Sequence, residues 1–237
     1  MRGVLLAAGL AVALAGCQRE DGDRAFGERV RAYLLAHPEV LQEASDKLQA
    51  SADAKALAAQ KRAEADLPRL RAAIEHDPRD FVANPDGRIT VTEFFDYRCP
   101  HCASMAPRLM ALIRQHPDIR FVFKEMPIFG ATSEHAAYAA LAVKKAGGDY
   151  LGLYQGLMST RPLDDATIDR LAIADGAHAA DIAPSAASTS HLAATSALFD
   201  QLGLDGTPGF VVGNHIFAGE DMVALEAAID KAGAAHS

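Results

Sequence analysis

The sequence contains no tryptophan, only three cysteines and no long run of lysine or arginine. Its 23 basic residues are outnumbered by 31 acidic ones, which gives a formal net charge of −8. Proteins that bind nucleic acid neutralise phosphates with clustered basic side chains, so this composition argues against a nucleic-acid partner. Half of the residues are apolar, which is ordinary for a globular protein and enough for one main domain with an appendage.

Metal ligands are also scarce. Cys99 and Cys102 have two residues between them, a spacing shared by zinc sites and by thioredoxin-type redox motifs. Zinc would need two further ligands, but there is no second cysteine pair of this kind, and the nine histidines are scattered. A purely structural disulfide would close so short a loop that it would remove little entropy from the unfolded chain. The sequence therefore predicts no metal site and favours redox chemistry for this pair.

Residues 1–17 differ from the rest of the chain. A single positive charge at Arg2 precedes an apolar run from Val4 to Ala15, which is typical of a secretory signal and too short to span a membrane comfortably. The segment ends in LAGC, with Cys17 last, and this ending resembles the lipobox of bacterial lipoproteins, in which the cysteine is lipidated. The alternative is an ordinary signal peptide that is cleaved nearby.

Lipidation of Cys17 would hold the mature chain on a membrane surface without a spanning helix. It would also leave Cys99 and Cys102 as the two cysteines able to pair. Export places that pair in an oxidising compartment, where a disulfide persists. The sequence thus predicts a periplasmic, membrane-anchored bacterial lipoprotein.

Residues 18–76 are predicted to form a polar tether and a helical arm, because they are rich in good helix formers. We expect a short helix near 24–36 and a longer one near 39–66, about 40 Å in length, which Pro68 would end or kink.

Three leucines of the arm, Leu34, Leu41 and Leu48, recur every seven residues, but Lys55 and Arg62 occupy the next two positions. So short a heptad pattern is weak evidence for a coiled coil. Self-association, a helical spacer and a segment packed on the main domain all remain open.

The main domain, residues 77–237, begins with strand signals. Ile89–Phe95 is β-branched and aromatic and is predicted to be a central strand, with Phe81–Ala83 as its hairpin partner across the NPDG turn. A helix from Cys102 to about Gln115 and a strand over Arg120–Lys124 follow. This strand, helix and strand favour parallel pairing with a right-handed crossover.

The rest of the domain is mainly helical. Over residues 133–202 we expect three to five helices, with breaks near Gly147, Pro162, Gly176 and Pro184. Two short β segments in GTPGFVVGNHIFAG and a helix over about 221–234 complete the domain.

The position of the cysteine pair favours a reactive thiol. With Cys99 at the end of a strand and Cys102 one turn into a helix, unpaired backbone N–H groups face the first sulfur and lower its pKa. Stabilising the reduced form makes the disulfide more oxidising. Pro100 fits the first helical turn, and His101 is expected to offer a hydrogen-bonding or positive partner to Cys99. Arg98 either lowers the Cys99 pKa further or points into solvent.

The motif VTEFFDYRCPHC, with GTPGF downstream, resembles the DsbA-like branch of the thioredoxin superfamily over about residues 80–234. The resemblance implies an α/β fold: a thioredoxin fold with a helical domain inserted at about 130–203, preceded here by the helical arm. The arm itself resembles extensions on suppressor-of-copper-sensitivity-type members that self-associate.

The resemblance also implies residue roles. Cys99 would be the exposed nucleophile and Cys102 the resolving thiol, while Thr207 and Pro208 would form a cis-proline loop beside them that binds substrate. Glu93 would be a buried acid under the pair, against the alternative of an outward-facing strand residue. Its suggested partner is Lys124, which is equally compatible with a solvated position.

The activity implied is disulfide formation in exported proteins with cysteines, without a cofactor and with a membrane redox partner that reoxidises the pair. Two alternatives are left open. An oligomeric chain would favour isomerase or reductase chemistry, and a non-catalytic lipoprotein would bind copper or unfolded chains.

Overall fold

The computed structural model describes residues 23–235. The predicted signal segment and Cys17 lie outside the described residues. No helix within 23–235 is long and apolar enough to cross a membrane. The chain divides into two compact units, Met1–Leu57 and Ala58–Ser237.

Both predicted helices of the arm are present. Helix α1 covers residues 23–36, and α2 runs over Glu39–Glu75. The expectation that α2 would stop near residue 66 is wrong, because the helix continues through Pro68. Its last turns bury Leu67, Leu70 and Ile74 in the second unit, and this packing of an apolar helix face offsets the backbone hydrogen bond that proline cannot make.

Five strands form one sheet: β1 is Phe81–Ala83, β2 is Ile89–Phe95, β3 is Ile119–Glu125, β4 is Gly209–Val212 and β5 is His215–Ala218. Their order is β1-β3-β2-β4-β5. The central pair β2 and β3 is parallel, as predicted, and the other neighbours are antiparallel.

The predicted hairpin between β1 and β2 is wrong, because β1 pairs with β3. After β1 the chain crosses the loop that leads into β3: the Asn84 side chain donates to the carbonyl oxygen of Ile113 at 2.9 Å, and the Arg88 N–H donates to that of Asp118 at 2.8 Å. At Gly87 a Cβ atom would lie 2.4 Å from the Arg120 nitrogen. The turn residues therefore let the chain after β1 pass close to the backbone at the start of β3, and they do not form a hairpin.

The predicted helices of the second unit are present. With one short 3₁₀ segment, they are α3 Pro100–Gln115, α4 Ala131–Ala146, α5 Tyr150–Ser159, α6 Asp165–Ala174, 3₁₀ Ala179–Asp181, α7 Ala186–Gln201 and α8 Met222–Ala235. Residues 133–202 contain no strand, as expected. Gly147 ends α4 in the left-handed conformation, with φ of 71°.

The sheet is covered on both faces. Helices α3, α5 and α8 contribute to a core with Phe95 and Phe123, and both cysteines belong to it. On the other face, the end of α2 and α7 pack with Phe94 and Val211. Because side chains alternate along a strand, neighbouring residues of β2 and β3 enter different cores. The parallel strands end beside the start of α3, which positions the cysteine pair.

Candidate active site

Cys99 lies at the junction of β2 and α3. It is the N-cap residue of α3, with extended backbone angles, and Pro100 occupies the first helical turn. Cys102 follows one turn later inside the helix, and both cysteines are free thiols. Contrary to the expectation of an exposed nucleophile, Cys99 is only 1% exposed, because the loop before β4 lies over it.

That loop contains Thr207 and Pro208, which the structure brings beside the cysteines. The bond between them is cis, and the Cys99 sulfur lies 3.1 Å from the Thr207 carbonyl oxygen, to which it donates a hydrogen bond only when it is protonated. Both loop residues are buried. Next to them, a Cβ on Gly209 would approach the Leu204 side chain to 2.9 Å. The loop is thus packed closely against the sulfur.

The two thiols differ strongly in acidity. The pKa of Cys99 is lowered to about 5 by a hydrogen bond from the Cys102 thiol, by the Thr207 side chain and by the backbone N–H groups of Cys102 and His101, against the opposing effect of burial. Burial is also the main reason why the pKa of Cys102 is raised far above its ordinary value. At neutral pH Cys99 is therefore a thiolate and Cys102 keeps its proton.

Glu93 is buried in the core that contains the thiols. The Tyr154 hydroxyl donates to its two carboxylate oxygens at 3.3 and 3.2 Å. Burial and the nearby Cys99 charge raise the pKa of Glu93 to about 8, although the Tyr154 hydrogen bond opposes them. The position agrees with a buried acid near the redox pair, and an outward-facing strand residue is wrong.

Lys124 is not a partner of Glu93. In the sheet register Lys124 lies beside Phe94, so its side chain enters the opposite core from that of Glu93. There its ammonium group donates to the Asp80 carboxylate and, at 2.6 Å, to the carbonyl oxygen of Ala73 in α2. The lysine is buried and not solvated.

His101 and Arg98 point away from the sulfur. The His101 Nδ1 atom lies 3.3 Å from a carboxylate oxygen of Glu220, and the imidazole is exposed, so only its backbone N–H acts on Cys99. The Arg98 guanidinium donates to the Phe129 carbonyl oxygen at 2.6 Å. Neither side chain has the sulfur partner that the sequence suggested.

The sequence missed Asp96, a buried carboxylate that connects two loops. It accepts hydrogen bonds from the backbone of Arg98 at 2.6 Å and of Ile128 at 2.7 Å, and from the Ser133 hydroxyl at 2.9 Å. The loop after β3 is thereby fixed beside the segment that leads to Cys99. An acidic residue directly after an apolar strand was the available signal.

The sequence also missed Glu125, at the end of β3, with the tyrosines that surround it. The hydroxyls of Tyr97 and Tyr150 donate to one of its carboxylate oxygens at 3.1 and 2.5 Å. A charged residue at the end of the strand sequence IRFVFKE was the only local sign. Across residues 23–235, no group of three potential metal-ligating side chains comes together.

Two protein-family models match the chain. The model described as DSBA-like thioredoxin domain matches residues 90–230, and the copper resistance protein ScsC N-terminal domain matches residues 24–55. The second match covers most of the predicted arm.

Solved structures with similar folds include three bacterial proteins. A thioredoxin-like oxidoreductase from Silicibacter pomeroyi is 35% identical, with a TM-score of 0.63, over 68% of this chain and 96% of that one. A linker-deletion variant of Proteus mirabilis ScsC is 28% identical, with a TM-score of 0.67, over 91% and 95%. A periplasmic thioredoxin-like protein from Salmonella enterica serovar Typhimurium is 26% identical, with a TM-score of 0.62, over 69% and 95%.

Curated relatives match over a shorter stretch. The Na(+)/H(+) antiporter NhaA 1 of Salinispora arenicola is 34% identical over 73 residues, which is 30% of this chain and 11% of the antiporter. The NhaA 3 antiporter of Salinispora tropica matches similarly, at 33% identity over 72 residues. The chain thus spans about a tenth of the length of these relatives.

Proposed function

We propose that this chain, which belongs to the DSBA-like thioredoxin domain family and is a protein thiol:disulfide oxidoreductase, exchanges disulfides with exported proteins through Cys99 and Cys102. The observation that carries the proposal is the contrast between the two thiols. A nucleophile with a pKa of about 5 lies one helical turn from a buried thiol that keeps its proton, which is the arrangement that exchange chemistry uses.

In the oxidase direction, a substrate thiolate attacks the Cys99 sulfur of the Cys99–Cys102 disulfide. The S–S bond breaks, and a mixed disulfide joins the substrate to Cys99. A second substrate thiolate then attacks the substrate sulfur of that bond and releases the Cys99 thiolate. The substrate loses two electrons and gains a disulfide, while Cys99 and Cys102 gain the two electrons and become reduced.

Cys102 needs a proton when it leaves, because its thiol pKa is strongly raised. Glu93, with a pKa of about 8, holds a proton at neutral pH and lies in the same core. We assign Glu93 to the transfer of this proton, and Thr207 and Pro208 to the surface that receives the substrate chain beside Cys99. His101 and Pro100 act through the backbone, by supplying an N–H group and the helical turn.

The cellular setting belongs to the same proposal. Export and a lipid on Cys17 would place the chain on the periplasmic side of a bacterial membrane, where a membrane partner reoxidises the pair. A related protein from Salmonella enterica is described as periplasmic. Exposed apolar side chains along α1 and α2, including Phe26, Leu35 and Leu48, favour a homo-oligomer through the arm.

The test of the exchange function is oxidation of a reduced two-cysteine peptide. Cys99→Ser should abolish the activity. Cys102→Ser, mixed instead with the peptide in its disulfide form, should accumulate a mixed disulfide at Cys99, because the Cys99 thiolate breaks the peptide S–S bond and no second thiol releases it. Cys17→Ser is the control: it should keep the peptide activity while it loses membrane attachment. A Cys99→Ser variant that stays fully active would reject a catalytic pair and leave the non-catalytic, chain-binding alternative.

A second experiment decides whether the cysteine pair acts as an oxidase or as an isomerase. A redox titration against glutathione, together with reactivation of a scrambled disulfide substrate and a mass measurement, separates the alternatives. A strongly oxidising pair on a monomer supports oxidase activity. A stable oligomer that reactivates the scrambled substrate supports isomerase activity.

A further inference from the structure

A second buried acid lies close to the redox centre. Glu125 ends β3 beside Phe95 of β2 and is 2% exposed. The hydroxyls of Tyr97 and Tyr150 donate to one of its oxygens. Tyr97 is two residues before Cys99. The mechanism described above does not use this carboxyl group.

Glu125 and Glu93 share one aromatic cluster. They lie on the same face of the sheet, since Glu93 pairs with Phe123 and Glu125 with Phe95. The rings of Tyr97 and Tyr154 are 6.1 Å apart, and each packs edge-on against Phe95, at 5.1 and 5.2 Å. Tyr97 thus donates to one acid, Tyr154 donates to the other, and their rings are in contact.

The charged and titratable groups that face Glu125 come from three elements or loops. They are Glu93 of β2, Asp96 and Tyr97 of the following loop, and Tyr150 of α5. Tyr154 of α5 and the Cys99 thiolate lie beyond them, against Glu93. None of these carries a positive charge. The Arg161 guanidinium donates to the carbonyl oxygens of Tyr97, Leu157 and Thr160, at 3.0, 3.1 and 2.6 Å.

Two carboxyl groups in one buried cluster without a cation cannot easily both ionise, because each charge disfavours the other. Burial raises the pKa of Glu125 to about 8, with Asp96 and Glu93 adding to the effect and the tyrosine hydrogen bonds opposing it. Burial and the Cys99 charge raise the pKa of Glu93 to about 8 as well, and the Tyr154 hydrogen bond opposes them. Groups coupled in this way lose their protons in two steps that belong to the pair.

We propose that Glu125 is a positioning residue of the redox site, which acts through the Tyr97–Tyr154 cluster on Glu93 and so sets when Glu93 can exchange a proton with Cys102. It touches neither sulfur. The inference rests on the proposed roles of Cys99, Cys102 and Glu93. The proposal leaves the electron balance unchanged. Reduction of the cysteine pair takes up two electrons and, near neutral pH, one proton on Cys102. Glu93 supplies that proton, and Glu125 controls the ionisation of Glu93.

The test compares Glu125→Gln with wild type in the full chain. Glutamine keeps an oxygen that accepts both tyrosine hydrogen bonds but cannot ionise. Carboxyl-carbon NMR of ¹³C-glutamate-labelled reduced protein follows Glu93 directly between pH 6 and 10, and Glu93→Gln assigns its signal. The redox equilibrium with glutathione is measured over the same range. Glu226→Gln, on the exposed face of α8, is the matched control.

Wild type should show two linked steps at the Glu93 carbon and a matching change in the pH dependence of the redox equilibrium. In Glu125→Gln the Glu93 carbon should titrate in a single step at lower pH. Coupling of about one pKa unit corresponds to an acid dissociation constant about tenfold larger for Glu93. Glu226→Gln should match wild type. Tyr150→Phe, which removes one donor from Glu125, should move the second step to higher pH.

If the Glu93 titration and the redox profile of Glu125→Gln superimpose on those of wild type while Glu93→Gln alters the profile, the proposal is overturned and the exchange function stands. If Glu93→Gln also leaves the profile unchanged, both acid roles are overturned. Loss of peptide oxidation in Cys99→Ser is read separately and decides the exchange function itself.

Discussion

At the scale of single residues, the acidity of Cys99 depends on Cys102. The hydrogen bond from the Cys102 thiol is the largest of the effects that lower the Cys99 pKa to about 5. Replacing Cys102 with alanine should therefore raise the pKa of Cys99 towards the ordinary thiol range. Thiolate absorbance at 240 nm against pH measures the midpoint. An unchanged midpoint would mean that the backbone N–H groups of α3 alone stabilise the thiolate.

The sign of the pH effect on stability follows from the same shift. The pKa of Cys99 is lower in the folded reduced protein than in the unfolded chain, so its contribution to the free energy of unfolding is fully present above the ordinary thiol pKa. That contribution is lost as the pH falls towards 5. Urea denaturation of the reduced chain should show this pH dependence, and Cys99→Ser should lack it.

A third prediction concerns the buried ion pair on the other face of the sheet. The Lys124 and Asp80 side chains are 2% and 0% exposed, so Lys124→Met leaves a buried carboxylate without its cation and should cost about 3–5 kcal/mol of unfolding free energy. Lys145→Met breaks the Lys145–Asp181 pair, whose lysine is 70% exposed, and should cost under about 1 kcal/mol. Similar small losses from both would show that Lys124 is not needed to balance Asp80.

The sequence predicted some of these residues better than others. The motif and its order identified Cys99, Cys102, Glu93 and Pro208, because each lies within a few residues of a recognisable strand or turn. The network around Glu125 was missed because Tyr97, Tyr150 and Glu125 lie 25 or more residues apart in pairs that only the folded sheet and α5 bring together. Lys124 was misassigned because the register of β2 and β3 decides which core it enters.

At the scale of elements, α2 contributes residues to both compact units, because the first unit ends at Leu57 and the second begins at Ala58. Leu67 lies in its last turns and is fully buried, whereas Leu57 is 52% exposed. Leu67→Ala should cost about 2–5 kcal/mol of unfolding free energy, as expected for a large-to-small change in a core. Leu57→Ala is the control and should change it little. Equal effects would contradict the assignment of the end of α2 to the core.

Elements with a strong local pattern were predicted well, and β1 was not. The bounds of β2 agree with the prediction because an apolar β-branched run is a local property. The pairing of β1 depended on the crossing at Gly87, where the backbone approaches that of Arg120, 33 residues later in the sequence. The NPDG turn predicts that the chain reverses direction, but it does not predict which strand pairs with β1. The end of α2 predicted near Pro68 was wrong for the same reason, because the burial of its last turns arises only in the folded unit.

At the scale of the whole molecule, two truncations distinguish the arm from the catalytic unit. A chain that begins at Ala58 keeps the buried residues of α2 and should fold and oxidise the peptide, but it should lose self-association in light scattering. A chain that begins at Asp77 lacks Leu67, Leu70 and Ile74 and should unfold at much lower urea concentration. If the Ala58 chain self-associates as the full chain does, the arm is not the oligomer interface.

The ends of the sheet carry a last consequence. Its two outer strands are short, with three residues in β1 and four in β5, while the seven-residue strands β2 and β3 lie inside. Long outer strands offer unpaired backbone groups on which another extended chain can build a cross-strand ladder. The short outer strands of this sheet therefore offer another extended chain few unpaired backbone groups to pair with.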